Sequence, residues 1–161
     1  MKLYFVLLII FNIISCASLK SDELYTVVPF KRNNMPGIST INQNAFVHAN
    51  TSKYPWHLSI LIQMSDLINN GMPSRAENNL LYKIEDNLAV NLNKNDDSIF
   101  VSRDTYNGYR QLIFRVREPE AANIYLQSII SKKLYKREFK FKMSNDPQWE
   151  KAKWHMESIK P

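Results

Sequence analysis

From Trp56 onward the spacing of apolar residues switches repeatedly between two periods, and that switching constrains the fold more than any other feature of the chain. Trp56, Leu58, Ile60, Ile62 and Met64 alternate with His57, Ser59 and Gln63, so a strand there buries one face and wets most of the other. Gly71-Met72-Pro73 ends the run, and Ser74 followed by Glu77 has the spacing of a capping box. A helix follows with Leu80, Leu81, Ile84, Leu88 and Leu92 on one stripe, closing in the polar run Asn93 to Asp97. Ile99 to Thr105 and Tyr109 to Arg117 are β-rich and meet at Asn107-Gly108, which tolerates the positive φ of a tight turn, so an antiparallel hairpin is expected. Pro119 opens a second helix, where its missing N–H costs nothing. Glu118 and Glu120 complement one end of the helix dipole, Lys132 and Lys133 the other, and Ala122, Leu126, Ile129 and Ile130 form the buried stripe. Tyr135 to Met143 alternates again, with Phe139, Phe141 and Met143 on one side and Lys136, Glu138, Lys140 and Lys142 on the other. Asp146-Pro147 then starts a short terminal helix that lays Trp149, Ala152 and Met156 against the body.

Strand, helix, strand, strand, helix, strand is the split βαβ order of a ferredoxin-like α+β sandwich, with two helices on one face of an antiparallel sheet and a short C-terminal helix added. In that arrangement the last strand flanks the first and the first flanks the third.

Ahead of this domain the chain opens Met1-Lys2 and then runs apolar from Leu3 to Ile14, interrupted only by Asn12. An apolar run of about 12 residues behind a positive charge is a signal peptide, too short for the roughly 20 residues a membrane span requires. Ile13-Ile14-Ser15-Cys16 resembles the lipobox of bacterial lipoproteins, which makes Cys16 the lipidation site and mature N-terminus, held to a membrane by its acyl chains. The competing reading is cleavage after Ala17 and release of the protein. Residues 1–15 are thus expected as signal peptide, 16–53 as a partly disordered tether, and 54–161 as the folded domain. The tether reading rests on an Asn-, Ser-, Thr- and Lys-rich stretch without sustained period, broken by Met35-Pro36-Gly37, although Leu24 to Phe30 is compatible with a short strand on the domain edge. Asn50-Thr51-Ser52 is a glycosylation triplet that matters only in a secreting eukaryote. Cys16 is the sole cysteine, so no intramolecular disulfide can form and packing alone must stabilise the exported domain.

Tyr54-Pro55-Trp56, Gly71-Met72-Pro73-Ser74, Leu81 with Ile84-Glu85-Asp86-Asn87-Leu88, Leu112 to Arg117, and Asp146-Pro147-x-Trp149 with the closing Pro161 make up a further pattern. It resembles the bacterial domain-of-unknown-function family six-nine-five over about Tyr54 to Pro161. The resemblance implies a fold and no catalytic residues. Some relatives sit beside a domain like the regulator of ribonuclease E activity B, which implies a regulatory role on protein or RNA. Members usually carry an aromatic residue and a leucine or tyrosine before the last proline; here Ser158-Ile159-Lys160 stand there, which implies a less firmly docked terminal helix.

The composition excludes several chemistries. His48, His57 and His155 share no metal-ligand spacing, and no phosphate-cradling glycine loop, G-x-S-x-G or H-E-x-x-H occurs, so neither metal nor cofactor is expected. Glu85 and Asp86 are adjacent on a helix, about 100° apart, and read as a solvated face and not as a proton-sharing pair. The candidate ligand face is the open side of the sheet, where the expected strand order gathers His57, Gln63, Tyr109, Gln111, Arg115, Lys136, Lys140 and Lys142, with Ser59 and Arg117 nearby. The net charge of +6, or +5 once Lys2 is removed, favours an anionic ligand or envelope protein. Nucleic acid is a poor candidate, because Tyr109 is the single stacking residue and RNA is scarce outside the cytoplasm. Trp154 is a candidate partner contact. These features favour a membrane-tethered binding or accessory module without catalysis. The alternatives are an enzyme with a site on the open sheet face and a structural or immunity-type protein that covers a partner's surface.

Overall fold

The computed structural model describes residues 24–47 and 50–160, which form an α+β fold around one six-stranded antiparallel sheet. Asn33 and Asn34 both take positive φ, 51° and 63°, and turn strand β1 (Tyr25–Arg32) back onto β2 (Met35–Asn42). Asparagine tolerates the left-handed region because its short polar side chain bonds locally, so the pair works as Asn-Gly does elsewhere. This hairpin lies within the stretch expected to be a tether. It is instead part of the sheet, and α1 (Asn44–Val47) behind it contributes Ala45 to the same buried cluster as Tyr54, so the folded body includes this hairpin and does not begin at 54. The composition hid it because β1 and β2 bury few side chains. Their second face offers Ser39, Ile41 and Gly37, the last lying under the Phe30 ring where a Cβ would collide, while Val27 and Ile38 are exposed.

The rest follows the expected order: β3 (Trp56–Gln63), α2 (Arg75–Leu92), β4 (Ser98–Tyr106), β5 (Tyr109–Val116), α3 (Pro119–Lys132), β6 (Phe139–Asn145) and α4 (Lys153–Ser158). Across the sheet the strands run β1-β2-β4-β5-β3-β6, so β6 flanks β3 and β3 flanks β5. Asn107 and Gly108, with φ of 44° and 78°, close the β4–β5 hairpin, and Ser74 caps α2 by accepting from the Glu77 N–H at 3.1 Å. The Glu77 carboxylate departs from the reciprocal capping box: it accepts from the Ser65 N–H and, at 2.7 Å, from Arg137 Nε.

One side of the sheet packs against α2 and α3. Leu58, Ile60 and Ile62 of β3 and Leu112, Phe114 and Val116 of β5 meet Leu81, Ile84 and Leu88 of α2 and Ala122, Leu126 and Ile129 of α3. Ile130, expected in that stripe, is 40% exposed, because α3 turns its next face past the rim of β6. The other side carries a smaller cluster, Val101 and Ile113 with Tyr54, Trp149 and Ala152, and a bulge in β4 between Phe100 and Ser102 turns Val101 toward it. The terminal helix docks through Trp149, Ala152 and His155; Met156, expected on the buried stripe, faces outward.

Candidate ligand face

The second side of the sheet is only half open. Asp146 caps the terminal segment, its carboxylate accepting from the Glu150 and Lys151 amides at 3.0 and 3.1 Å, and this folds residues 146–158 back across β5 and β4. Arg115, expected on an open ligand face, is fully buried beneath it. Its guanidinium donates through Nη1 to Asp146 Oδ2 at 2.8 Å, through Nη2 to the Asp146 carbonyl and through Nε to the Tyr54 carbonyl at 3.3 Å, and it lies 4.7 Å from the Trp149 ring centre. Burial pulls the Arg115 pKa down and the Asp146 carboxylate opposes that pull. His57 pairs with Arg115 across β3 and β5 and is buried as well, which corrects the second of the expected face residues. Burial first, and the Arg115 charge second, lower its pKa to about 4, so it is neutral near pH 7. Arg117 is tied to Asp97 at the end of the hairpin.

Beside this sits a buried trio. Ser39 Oγ donates to Asp104 Oδ1 at 2.6 Å and His155 Nε2 lies 3.1 Å from Asp104 Oδ2. The residue types are those of a nucleophilic triad, but the connectivity differs. Hydroxyl and imidazole both bond to the carboxylate, whereas a triad needs the hydroxyl on the imidazole. The trio therefore clamps α4 to β4 and β2. Trp154, next to His155, is 44% exposed and stands edge-on to Phe30 at 5.7 Å between ring centres, tying α4 to the N-terminal hairpin. Glu85, expected on a solvated face, is buried: Arg103 Nη1 lies 2.8 Å from its carboxylate, Arg103 and Arg110 both stack on Tyr82, and burial raises the Glu85 pKa. Asp86 alone remains exposed.

What stays uncovered is the half of the face toward β6. The ladder places Tyr109 opposite Gln63, Gln111 opposite Leu61, Lys140 opposite Leu61 and Lys142 opposite Ser59, so these expected residues do come together. Gln111 Nε2 donates to Ser59 Oγ at 2.8 Å, and its Oε1 accepts from Arg32 at 3.3 Å. Arg32 was hidden from sequence reasoning, although the Asn33-Asn34 turn beside it was the available signal. Lys136 lies just outside, in the connection from α3 to β6. A groove of about 920 Å³ runs along the β6 edge between this half-face and α3. Lys133, Lys136, Lys140 and Lys142 are exposed and join no ion pair among the described residues. No group of three or more His, Cys, Asp or Glu able to hold a metal occurs among the described residues, and no described helix is long and apolar enough to cross a membrane. Residues 1–15, read from the sequence as a signal peptide, and Cys16, His48 and Pro161 lie outside the described residues.

Neither the curated proteins nor the solved structures hold a match to the chain. The profile of a family of unknown function does match it, over residues 25–152, from the first strand of the hairpin to the turn that buries Ala152. That span takes in all six strands and both long helices, and the chain belongs to this family of unknown function, DUF695.

Proposed function

We propose that the protein is an exported, lipid-anchored binding module without catalytic activity, which takes an anionic ligand on the uncovered half of the second sheet face. The observation that carries this reading is the set of exposed lysines along and beside β6, which join no ion pair among the described residues and lie next to Gln63, Tyr109 and Gln111. By contrast, the groups best suited to proton or nucleophile chemistry, His57, His155, Asp104 and Glu85, are buried and occupied in packing. A cation with no internal partner keeps its full attraction for a ligand. The segment from Trp56 has the strand order β4-β5-β3-β6 with both long helices on one side, which supports the ferredoxin-like reading, with the N-terminal hairpin as an extension at β4. Anchoring is supported by Ile13-Ile14-Ser15-Cys16 behind the apolar leader.

Titrating the full chain with poly-L-aspartate by calorimetry tests the ligand class. Binding that weakens with salt and is lost in the Lys140→Glu, Lys142→Glu double variant is expected; no heat, or equal heat from both proteins, would reject it. Intact mass of the membrane fraction tests the anchor. An acylated Cys16, lost with membrane retention in Cys16→Ala, is expected, and a chain beginning after Ala17 would mean a released protein.

A further inference from the structure

Among the described residues the sheet has two unpaired edge strands, β1 and β6, and the chain treats them differently. The bond from the Gln43 N–H to the Leu24 carbonyl, 2.8 Å, fixes the phase of the β1–β2 ladder, so the even-numbered residues of β1 bond inward and Pro29 faces the open edge. Pro29 has no N–H to offer, which is a standard way of blunting an edge against strand addition. At the opposite edge, the bonds from the Gln63 N–H to the Glu138 carbonyl, 3.2 Å, and from the Asp146 N–H to the Pro55 carbonyl, 2.8 Å, set the phase of β6 against β3. The backbone groups of Phe139, Phe141 and Met143 therefore point outward, and β6 contains no proline. The α3 side of the groove carries Asn123, Gln127, Ile130 and Leu134, three or four residues apart and so on one helical stripe running into the turn after the helix.

We propose that the β6 edge accepts an extended segment of a partner protein, added as a seventh strand, in which acidic and apolar residues alternate. This rests on the reading of the same half-face as an anion-binding surface, and deepens it by naming the partner and its mode of binding. The alternation follows from the pleat. A strand beside β6 places every second side chain next to Lys140 and Lys142, and the intervening ones next to Phe141, Ile130 and Leu134. Acidic residues on the first set neutralise lysines that join no ion pair among the described residues. A second copy of β6 would instead set lysines against lysines, so the same charges that admit an acidic strand oppose self-pairing. The seven residues of β6 call for a partner segment of similar length.

The test uses the full chain and two labelled heptapeptides, one alternating Glu and Val and one with its central Val replaced by Pro, read by fluorescence anisotropy and by hydrogen exchange at the β6 amides. The alternating peptide is expected to bind at least about tenfold more tightly than the proline peptide, to slow exchange at Phe141 and Met143, and to lose about tenfold or more on Lys140→Glu, Lys142→Glu. Phe141→Pro, compared with Phe141→Ala for loss of the ring, isolates the edge donor; the proline variant is expected to bind more weakly than the alanine one at equal thermal stability. Equal affinity for the two peptides with poly-L-aspartate binding intact would overturn the added strand and leave the anionic surface standing. Loss of both peptide and poly-L-aspartate binding would overturn the two readings together. Vesicles of phosphatidylcholine and phosphatidylglycerol in equal parts that displace the peptide and slow exchange at the same amides would assign the edge to a membrane and overturn the partner segment.

Discussion

On the helix-bearing side of the sheet, Leu58, Ile60, Leu112 and Phe114 meet Leu81, Leu88 and Leu126 in a cluster that is apolar throughout, with Glu85, Arg103 and Arg110 gathered beside Tyr82. On the opposite side Val101 and Ile113 share their layer with Arg115, Asp104, His57 and His155, all buried. The first side can be assembled from any sequence with the right periods, since dispersion and water exclusion are indifferent to exact partners. The second depends on particular residues meeting across the chain, because a buried charge is tolerable only when paired and hydrogen-bonded. A truncation should therefore leave a void on one side and an orphaned charge on the other.

Arg115→Ala breaks the contrast most severely. It leaves the Asp146 carboxylate buried without its cation, and a loss of about 3–5 kcal/mol in chemical unfolding is expected; a surface-like loss would mean that the polar side is not held by this pair. Leu88→Ala, fully buried on the apolar side, should cost about 3 kcal/mol with the cap and the sheet unchanged. The third test uses proton linkage. The folded His57 value of about 4 lies below the ordinary 6.5, so the unfolded chain takes up the proton first as pH falls. The stability contributed by neutral His57 is complete above pH 6.5, declines between 6.5 and about 4, and levels off below that. About 3 kcal/mol is at stake at most, and His57→Gln should flatten this part of the pH–Tm curve. The smallest effect belongs to the uncovered half-face. Lys140→Glu with Lys142→Glu should change stability by no more than about 0.5 kcal/mol, which would separate a surface kept for binding from one that holds the fold.

The same contrast decides what could be read in advance. Leu58, Ile60 and Ile62, the stripe Leu81 to Leu92, the Asn107-Gly108 turn and the alternation around Lys140 and Lys142 are local signals, and the structure follows them. Arg115 and Asp146 lie 31 residues apart, and Asp104 and His155 lie 51 apart. No spacing rule announces such pairs. Arg115 occupies an outward register position and reads as solvated until the segment capped by Asp146 folds over it. His57 misleads for the same reason. Of the N-terminal hairpin only the first strand, Leu24 to Phe30 on the domain edge, was legible; its partner escaped notice because both strands bury few apolar residues, leaving the two asparagines of the turn as the main cue.

The order of strands also settles a matter of orientation. The described chain enters the sheet at β1, along one margin, while the groove and its lysines lie along β6 at the other. Five inter-strand steps of roughly 4.8 Å separate the two margins by about 24 Å. Any tether pulling on the segment before Leu24 would therefore hold the molecule by one flank and present the other outward, like a pennant on a mast, so that a partner meets the β6 margin without competing for room at the point of attachment.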